Sequence, residues 1–355
     1  MSSTRARSLA RCAVAAAVLA TATARASDGS EATPVESSWR LRVEAGPGFD
    51  GNALRIVGDG DPSSAAFTGG SLRAQGRLAS PRWTMDARLS EGFRLFMGAP
   101  DADLLASRLD AAGRWSATRR LTLGLDGMAR DLSERGGARD LREAQGLARV
   151  GLVAGRVRWD AAGGWMVSAP RAGGLRVFRR DGPELALSAA VQIAREHALI
   201  AGVSAWAWRY RDWPGGRDDD EGAASLEWRW DGPVLTALSY TFGRNASSVD
   251  AGSWRRHRVT ARIAADLPLG LDVAARANFQ RSVNPSGLIL SEQLFVREGD
   301  ESQNALEVQL ARELRAGVEI ALKVAHYRSE LGAEEAGLAF RRTVAQLSVA
   351  WTTGN

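Results

Sequence analysis

The sequence predicts an all-β protein, a transmembrane antiparallel up-and-down β-barrel of about 16 strands. Three observations predict it: an N-terminal export signal, apolar–polar alternation in segments of roughly ten residues, and connections that are alternately short and long.

Arg5, Arg7 and Arg11 form a basic head before the apolar run from Cys12 to Ala20, and Ala24-Arg25-Ala26 offers small residues where a signal peptidase cuts. The run is too short to span a bilayer as a helix. Residues 1–26 therefore read as a signal peptide, 27–37 as a short periplasmic segment and 38–355 as the barrel. Cys12 is the only cysteine, so the mature chain has neither disulfides nor thiolate metal sites. Four of the 46 basic residues leave with the signal, so 42 face 41 acidic ones. A nearly neutral chain gives no reason to expect nucleic acid as a partner.

Alternation runs through the mature chain. In Trp83-Thr84-Met85-Asp86-Ala87-Arg88-Leu89-Ser90 the odd positions are apolar and the even ones polar or charged. One face then meets oil and the other water. Trp39, Leu41 and Val43 alternate with Arg40, Arg42 and Glu44; Val259, Ala261 and Ile263 with Arg258, Thr260 and Arg262; Leu306, Val308 and Leu310 with Glu307 and Gln309. Leu123, Val259, Leu306 and Val349 are assigned to the lipid face on this register, and Thr260 and Glu307 to the lumen.

A soluble β-sandwich also alternates, and the connections separate the two. Short links fall near 80–82, 117–119, 154–155, 195–197, 231–233, 267–270 and 315–317. Longer polar links fall at about 47–70, 94–103, 131–143, 169–183, 211–221, 245–252, 282–302 and 329–336. Short turns at one end and long loops at the other are the pattern of an outer-membrane barrel, with both termini on the turn side. Trp39, Trp83, Trp115, Trp230 and Trp351 lie beside the turns or termini, and Phe93, Tyr240, Phe242, Trp254 and Phe279 beside the loops, as two aromatic girdles require.

Enzymatic motifs do not emerge. His197, His257 and His326 have no metal-ligand spacing, and there is no Gly-x-Ser-x-Gly elbow or phosphate loop. Neither a cofactor nor a metal is expected. The run Asp218-Asp219-Asp220-Glu221 is placed in a long loop, where it serves as a solvated edge or a divalent-cation site.

Charge inside the wall is the more informative set. The polar register points Arg256, Arg258, Arg262, Arg276, Arg88, Arg108 and Arg114 into the lumen, with further arginines including Arg156. Roughly 18 basic residues then face about 9 acidic ones, the remaining acids lying in loops, and an inward positive excess attracts anions. Arg256, Arg258 and Arg262 project from one strand as a ladder.

Two stretches resemble known families. The last strand, ending Val344-Ala345-Gln346-Leu347-Ser348-Val349-Ala350-Trp351, resembles the C-terminal targeting strand of bacterial outer-membrane proteins, with four residues after the aromatic. The opening strand, Arg42-Val43-Glu44-Ala45-Gly46-Pro47-Gly48-Phe49-Asp50-Gly51-Asn52, resembles that of PgaA-type exopolysaccharide export barrels and surface lipoprotein assembly modifiers, with Phe49 and Gly51 in place of Tyr and Ser. The resemblance implies a relative among secretion-type barrels and leaves the substrate open. The expected location is the cell outer membrane, and the expected role is a pore for a polar, anionic solute or polymer, either porin-like or a polysaccharide conduit. The alternative is a structural or interaction barrel of a surface adhesion or envelope-spanning complex, its lumen closed by arginine and carboxylate. Expected partners are outer-membrane lipid and lipopolysaccharide, the barrel assembly machinery and periplasmic export components.

Overall fold

The computed structural model describes residues 35–53, 63–137, 140–171, 173–249, 252–283, 304–328 and 341–355. The signal peptide proposed for residues 1–26 lies outside them, as do parts of several long links. The strands are β1 (Glu36–Asp50), β2 (Ala65–Ala79), β3 (Trp83–Phe96), β4 (Leu104–Ser116), β5 (Leu121–Glu134), β6 (Leu141–Ala154), β7 (Val157–Pro170), β8 (Arg180–Ala194), β9 (His197–Tyr210), β10 (Arg217–Asp231), β11 (Val234–Ser247), β12 (Trp254–Leu267), β13 (Leu271–Val283), β14 (Asn304–Arg315), β15 (Val318–Arg328) and β16 (Arg341–Gly354). Each pairs antiparallel with its sequence neighbours, and β1 pairs with β16, so the sheet closes on itself. Closure leaves no open edge, which is what a sheet in hydrocarbon requires.

Strands of 11 to 15 residues match or exceed the roughly 9–11 that cross a bilayer when tilted. The outer face carries the large apolar side chains, with Leu125 69%, Leu185 65%, Phe279 65% and Leu306 54% exposed. An apolar surface of this extent belongs in lipid rather than water. Leu123, Val259, Leu306 and Val349 all lie on it, whereas Thr260 is buried on the inner face, as the alternation predicts. The aromatic girdles hold with one exception. Trp39, Trp115, Trp351, Phe93, Tyr240 and Phe279 are exposed on the outer wall, but Trp254 turns inward and is buried.

The seven short links join strands at the end that carries both termini. Gly317, with φ 78°, makes the β14–β15 turn, and a β-carbon there would lie 2.5 Å from the Thr352 carbonyl oxygen. The predicted long links were drawn too wide, because several strands continue into polar sequence. β1 runs on to Asp50 and β2 starts at Ala65, where residues 47–70 were read as one loop. The largest correction concerns the acidic run, which is not a loop: residues 218–221 are the start of β10.

Among the described residues, the buried apolar side chains that cluster do so in three small inward groups at the loop end: Phe67, Phe96, Ala99, Ala102 and Val344; Leu104, Leu132 and Leu141; and Phe178, Trp208 and Tyr210. Phe67 reaches across β1 at Gly48, where a β-carbon would fall 2.3 Å from its ring.

Candidate functional site

The lumen wall is built from every second residue of each strand, and its charges are used in three ways. Along the seam between the first and last strands they close the barrel. Arg342 donates from Nε to both Asp50 carboxylate oxygens at 2.9 and 3.0 Å and also from Nη2, with both side chains buried. Lys323 Nζ lies 2.5 Å from Glu44 Oε1, which also accepts from Ser348 Oγ at 2.8 Å. Arg42 grips Glu319 at 2.7 and 3.2 Å. Asn52 Nδ2 donates to the Arg341 carbonyl oxygen at 3.2 Å, and the Gly51 amide to that of Thr343 at 2.8 Å. Asp50, Gly51 and Asn52 of the opening-strand motif thus fasten β1 to β16.

At the loop end of β8–β10, charge is sandwiched between rings. The Arg180 guanidinium sits 4.2 Å from the Trp208 ring centre, and that of Arg217 sits 4.2 Å from Tyr210 and 4.8 Å from Trp213. Arg217 also clamps Asp219 at 2.9 and 2.7 Å, and Asp219 accepts from Asn245 at 2.9 Å. These groups hold one another in place. The acidic run therefore supplies a structural ion pair through Asp219, while Asp218 and Asp220 face outward and Glu221 inward. Alternation did not expose this cluster, because β9 is apolar on both faces: Ala205 and Ala207 look out while Trp206, Trp208 and Tyr210 look in.

The seven lumen arginines predicted from the sequence all lie on the inner register, but not as equals. Arg108 is held by Asp110 through three contacts of 2.8 to 3.0 Å. Arg114 shares Asp126 with Arg149, at 2.5 and 2.8 Å. Arg256 is only 6% exposed, stacks 4.3 Å from the Trp254 ring centre and donates to Ser282 Oγ at 3.2 Å. Arg258 donates to Gln280 Oε1 at 3.2 and 3.3 Å. Arg276 stands opposite Glu307 on one side and Arg262 on the other. Among the described residues, Arg88 and Arg262 have neither a carboxylate partner nor a hydrogen bond. The expected ladder is thus graded, from a packed Arg256 to an open Arg262. Arg156 is corrected: it lies in the β6–β7 turn and not in the wall.

The acids are corrected too. Those assigned to loops include Asp50, Glu134, Glu143, Asp219 and Glu221, which all sit on the inner register with Glu184 of β8, so the wall-wide positive excess is smaller than the sequence suggested. The excess persists locally. A lumen cavity of about 490 Å³ is lined by Arg94, Arg229, Arg262, Arg276 and Lys323 against Asp231 and Glu307. A second, of about 850 Å³ toward the termini, has Arg40, Arg77, Arg88, Arg108 and Arg149 against Asp86, Asp110 and Asp126.

All three histidines lie on the outer face: His197 stacks beside Trp228, His257 is hydrogen-bonded to Tyr240, and His326 to Thr343. None meets the lumen charges, and no group of metal-ligating side chains occurs among the described residues.

No protein-family model and no curated protein matches the sequence. Solved structures do. They include OccAB3 of Acinetobacter baumannii, 12% identical, with a TM-score of 0.47 and coverage of 90% of this chain and 100% of that one. A bacterial polysaccharide outer membrane secretin is 8% identical, with a TM-score of 0.47 and coverage of 89% and 97%. Salmonella typhi OmpF is 10% identical, with a TM-score of 0.46 and coverage of 90% and 98%.

Proposed function

We propose that this chain is an outer-membrane pore that passes polar, anionic solutes. One observation carries the reading: two lumen cavities, of about 490 and 850 Å³, each present five cationic side chains, against two and three carboxylates respectively, and Arg262, Arg88, Arg73 and Arg40 have no carboxylate partner among the described residues. Cations spent on closure cannot attract a solute; these can. A 16-strand barrel is wide enough to hold a water-filled channel. The export signal, the lipid-facing belt and the turn-and-loop asymmetry support the outer membrane as the location, with delivery by the barrel assembly machinery. Binding and orientation of the solute are the whole of the activity, without a cofactor. Periplasmic export components enter only if the cargo is an anionic polymer. The opening-strand resemblance gives that variant little support, because its Asp50, Gly51 and Asn52 are occupied in closing the barrel.

Single-channel recording in a planar lipid bilayer tests the reading. The account expects stepwise, ohmic current from the purified full-length barrel. A folded, inserted barrel that carries no current would make the structural, closed-lumen barrel the better account.

A further inference from the structure

Three arginines face away from the lumen at the loop end, and nothing so far has used them. Arg244 on β11, Arg255 on β12 and Arg281 on β13 are exposed on the outer register. Arg244 and Arg255 are cross-strand partners, and Arg281 pairs with His257, which puts it on the diagonal from Arg255. Like charges directly opposite one another destabilise a sheet, with β-carbons only about 4.5–5.5 Å apart. Two other outward arginines at this end sit beside carboxylates: Arg142 lies 3.1 Å from Asp131, and Arg209 lies 3.8 Å from Asp218. Among the described residues, Arg244, Arg255 and Arg281 have no such partner. On the neighbouring strand β10 the outward acid Asp220 lies diagonal to Arg244, next to the Gly222 pairing.

Their height on the wall says what neutralises them. Two residues nearer the membrane on the same three strands stand Phe242, His257 and Phe279, with Tyr240 Oη 2.7 Å from His257 Nδ1. Aromatic rings of this kind settle at the headgroup level of a bilayer. The arginines therefore sit about 7 Å further out along the strands, where lipid phosphates lie. Guanidinium groups match phosphate oxygens in bidentate geometry, and a phosphate between Arg244 and Arg255 relieves their repulsion.

We propose that Arg244, Arg255 and Arg281 form a binding site for the phosphates of an outer-leaflet glycolipid, the lipid A headgroup of lipopolysaccharide. The proposal rests on the outer-membrane reading and is independent of whether the lumen conducts.

Native mass spectrometry of the full mature barrel in detergent tests it, with bis-phosphorylated lipid A, phosphate-free lipid A of the same acyl chains, and inorganic phosphate as probes. The wild type should retain the phosphorylated lipid about 10-fold or more over R244S/R255S/R281S, because each cation contributes separately at an anionic surface. The phosphate-free lipid should bind both proteins equally. The single variants R255S and R281S, at exposed positions without partners, should each give an intermediate loss and serve if the triple variant fails to assemble. Equal retention by wild type and variants overturns the site, as does equal retention of the two lipids by the wild type. Displacement by inorganic phosphate at the lipid's own concentration overturns the lipid assignment. A missing channel current would count against the proposed function and leave this result standing.

Discussion

The seam of β1, β15 and β16 and the wall of β12 and β13 draw on the same inward register and the same side chains, yet use them oppositely. On the seam three inward cations meet carboxylates, Arg342 with Asp50, Lys323 with Glu44 and Arg42 with Glu319, and only Arg40 at the terminus end of β1 has none among the described residues. On β12 the inward arginines meet a ring, an amide and another cation: Arg256 meets Trp254, Arg258 meets Gln280, and Arg262 stands opposite Arg276, which alone of the four has a carboxylate, Glu307, as its cross-strand neighbour on the other side. The difference teaches that lumen charge has two functions, closure and attraction. Which one an arginine serves depends on what its cross-strand neighbours are. Counting inward arginines therefore overstates the field in the pore, and counting those without carboxylates locates it.

Removing a partner on the seam should have the largest effect. Arg342→Ala leaves the fully buried Asp50 without its cation, which should cost roughly 3–5 kcal/mol. The urea midpoint of the barrel in detergent, and its anomalous migration on a gel without boiling, should both fall. Asp50→Asn combined with Arg342→Gln should recover much of the loss, because no buried charge is left unpaired. A loss no larger than that of Arg262→Ala would break the comparison.

A second test asks whether the face, rather than the strand, decides. Val259 lies on the lipid side of β12 between the inward Arg258 and Thr260. Val259→Arg should cost about 2–4 kcal/mol if it lies near the bilayer midplane. Thr260→Arg adds the same charge to the lumen and should lower the urea midpoint less. The reverse order would mean the register is wrong by one residue. Smaller again is Arg256→Ser, which removes, among the contacts of Arg256, the stack on Trp254 and the hydrogen bond to Ser282. A loss of about 1 kcal/mol is expected, with little change in ion preference.

Fold and site differed in how far they could be read from the sequence. The inward placement of the seven arginines follows from period-two alternation, which is local and survives any packing, and the strand number and up-and-down order follow from the alternately short and long links. Three things did not follow. The end of β1 and the start of β10 resemble loops in composition because of polar residues such as Asp50 and Asp219, whose partners are Arg342 across the seam for Asp50, and for Asp219 Arg217 two residues earlier on its own strand together with Asn245 on β11. The inward rings of β9 were hidden by alanine on the opposite face, which leaves alternation nothing to contrast. The grading of Arg256, Arg258 and Arg262 depends on Trp254, Gln280 and Arg276. Two of these partners lie on β13, a contact that spacing along one strand does not encode.

The account's central claim is that open lumen arginines, and not the seam, set an anion preference. Reversal potential across a potassium chloride gradient tests it most directly, in wild type, Arg262→Glu and Arg42→Gln. The wild type should prefer anions, with the preference fading toward 1 M salt as the screening length falls to about 3 Å. Arg262→Glu should shift the potential toward cations with stability changed by no more than about 0.5 kcal/mol, because the side chain has no carboxylate or hydrogen-bond partner among the described residues. Arg42→Gln, on the seam, should leave the ion preference close to that of wild type. A cation-selective wild type, or an equal shift from both substitutions, would contradict the claim.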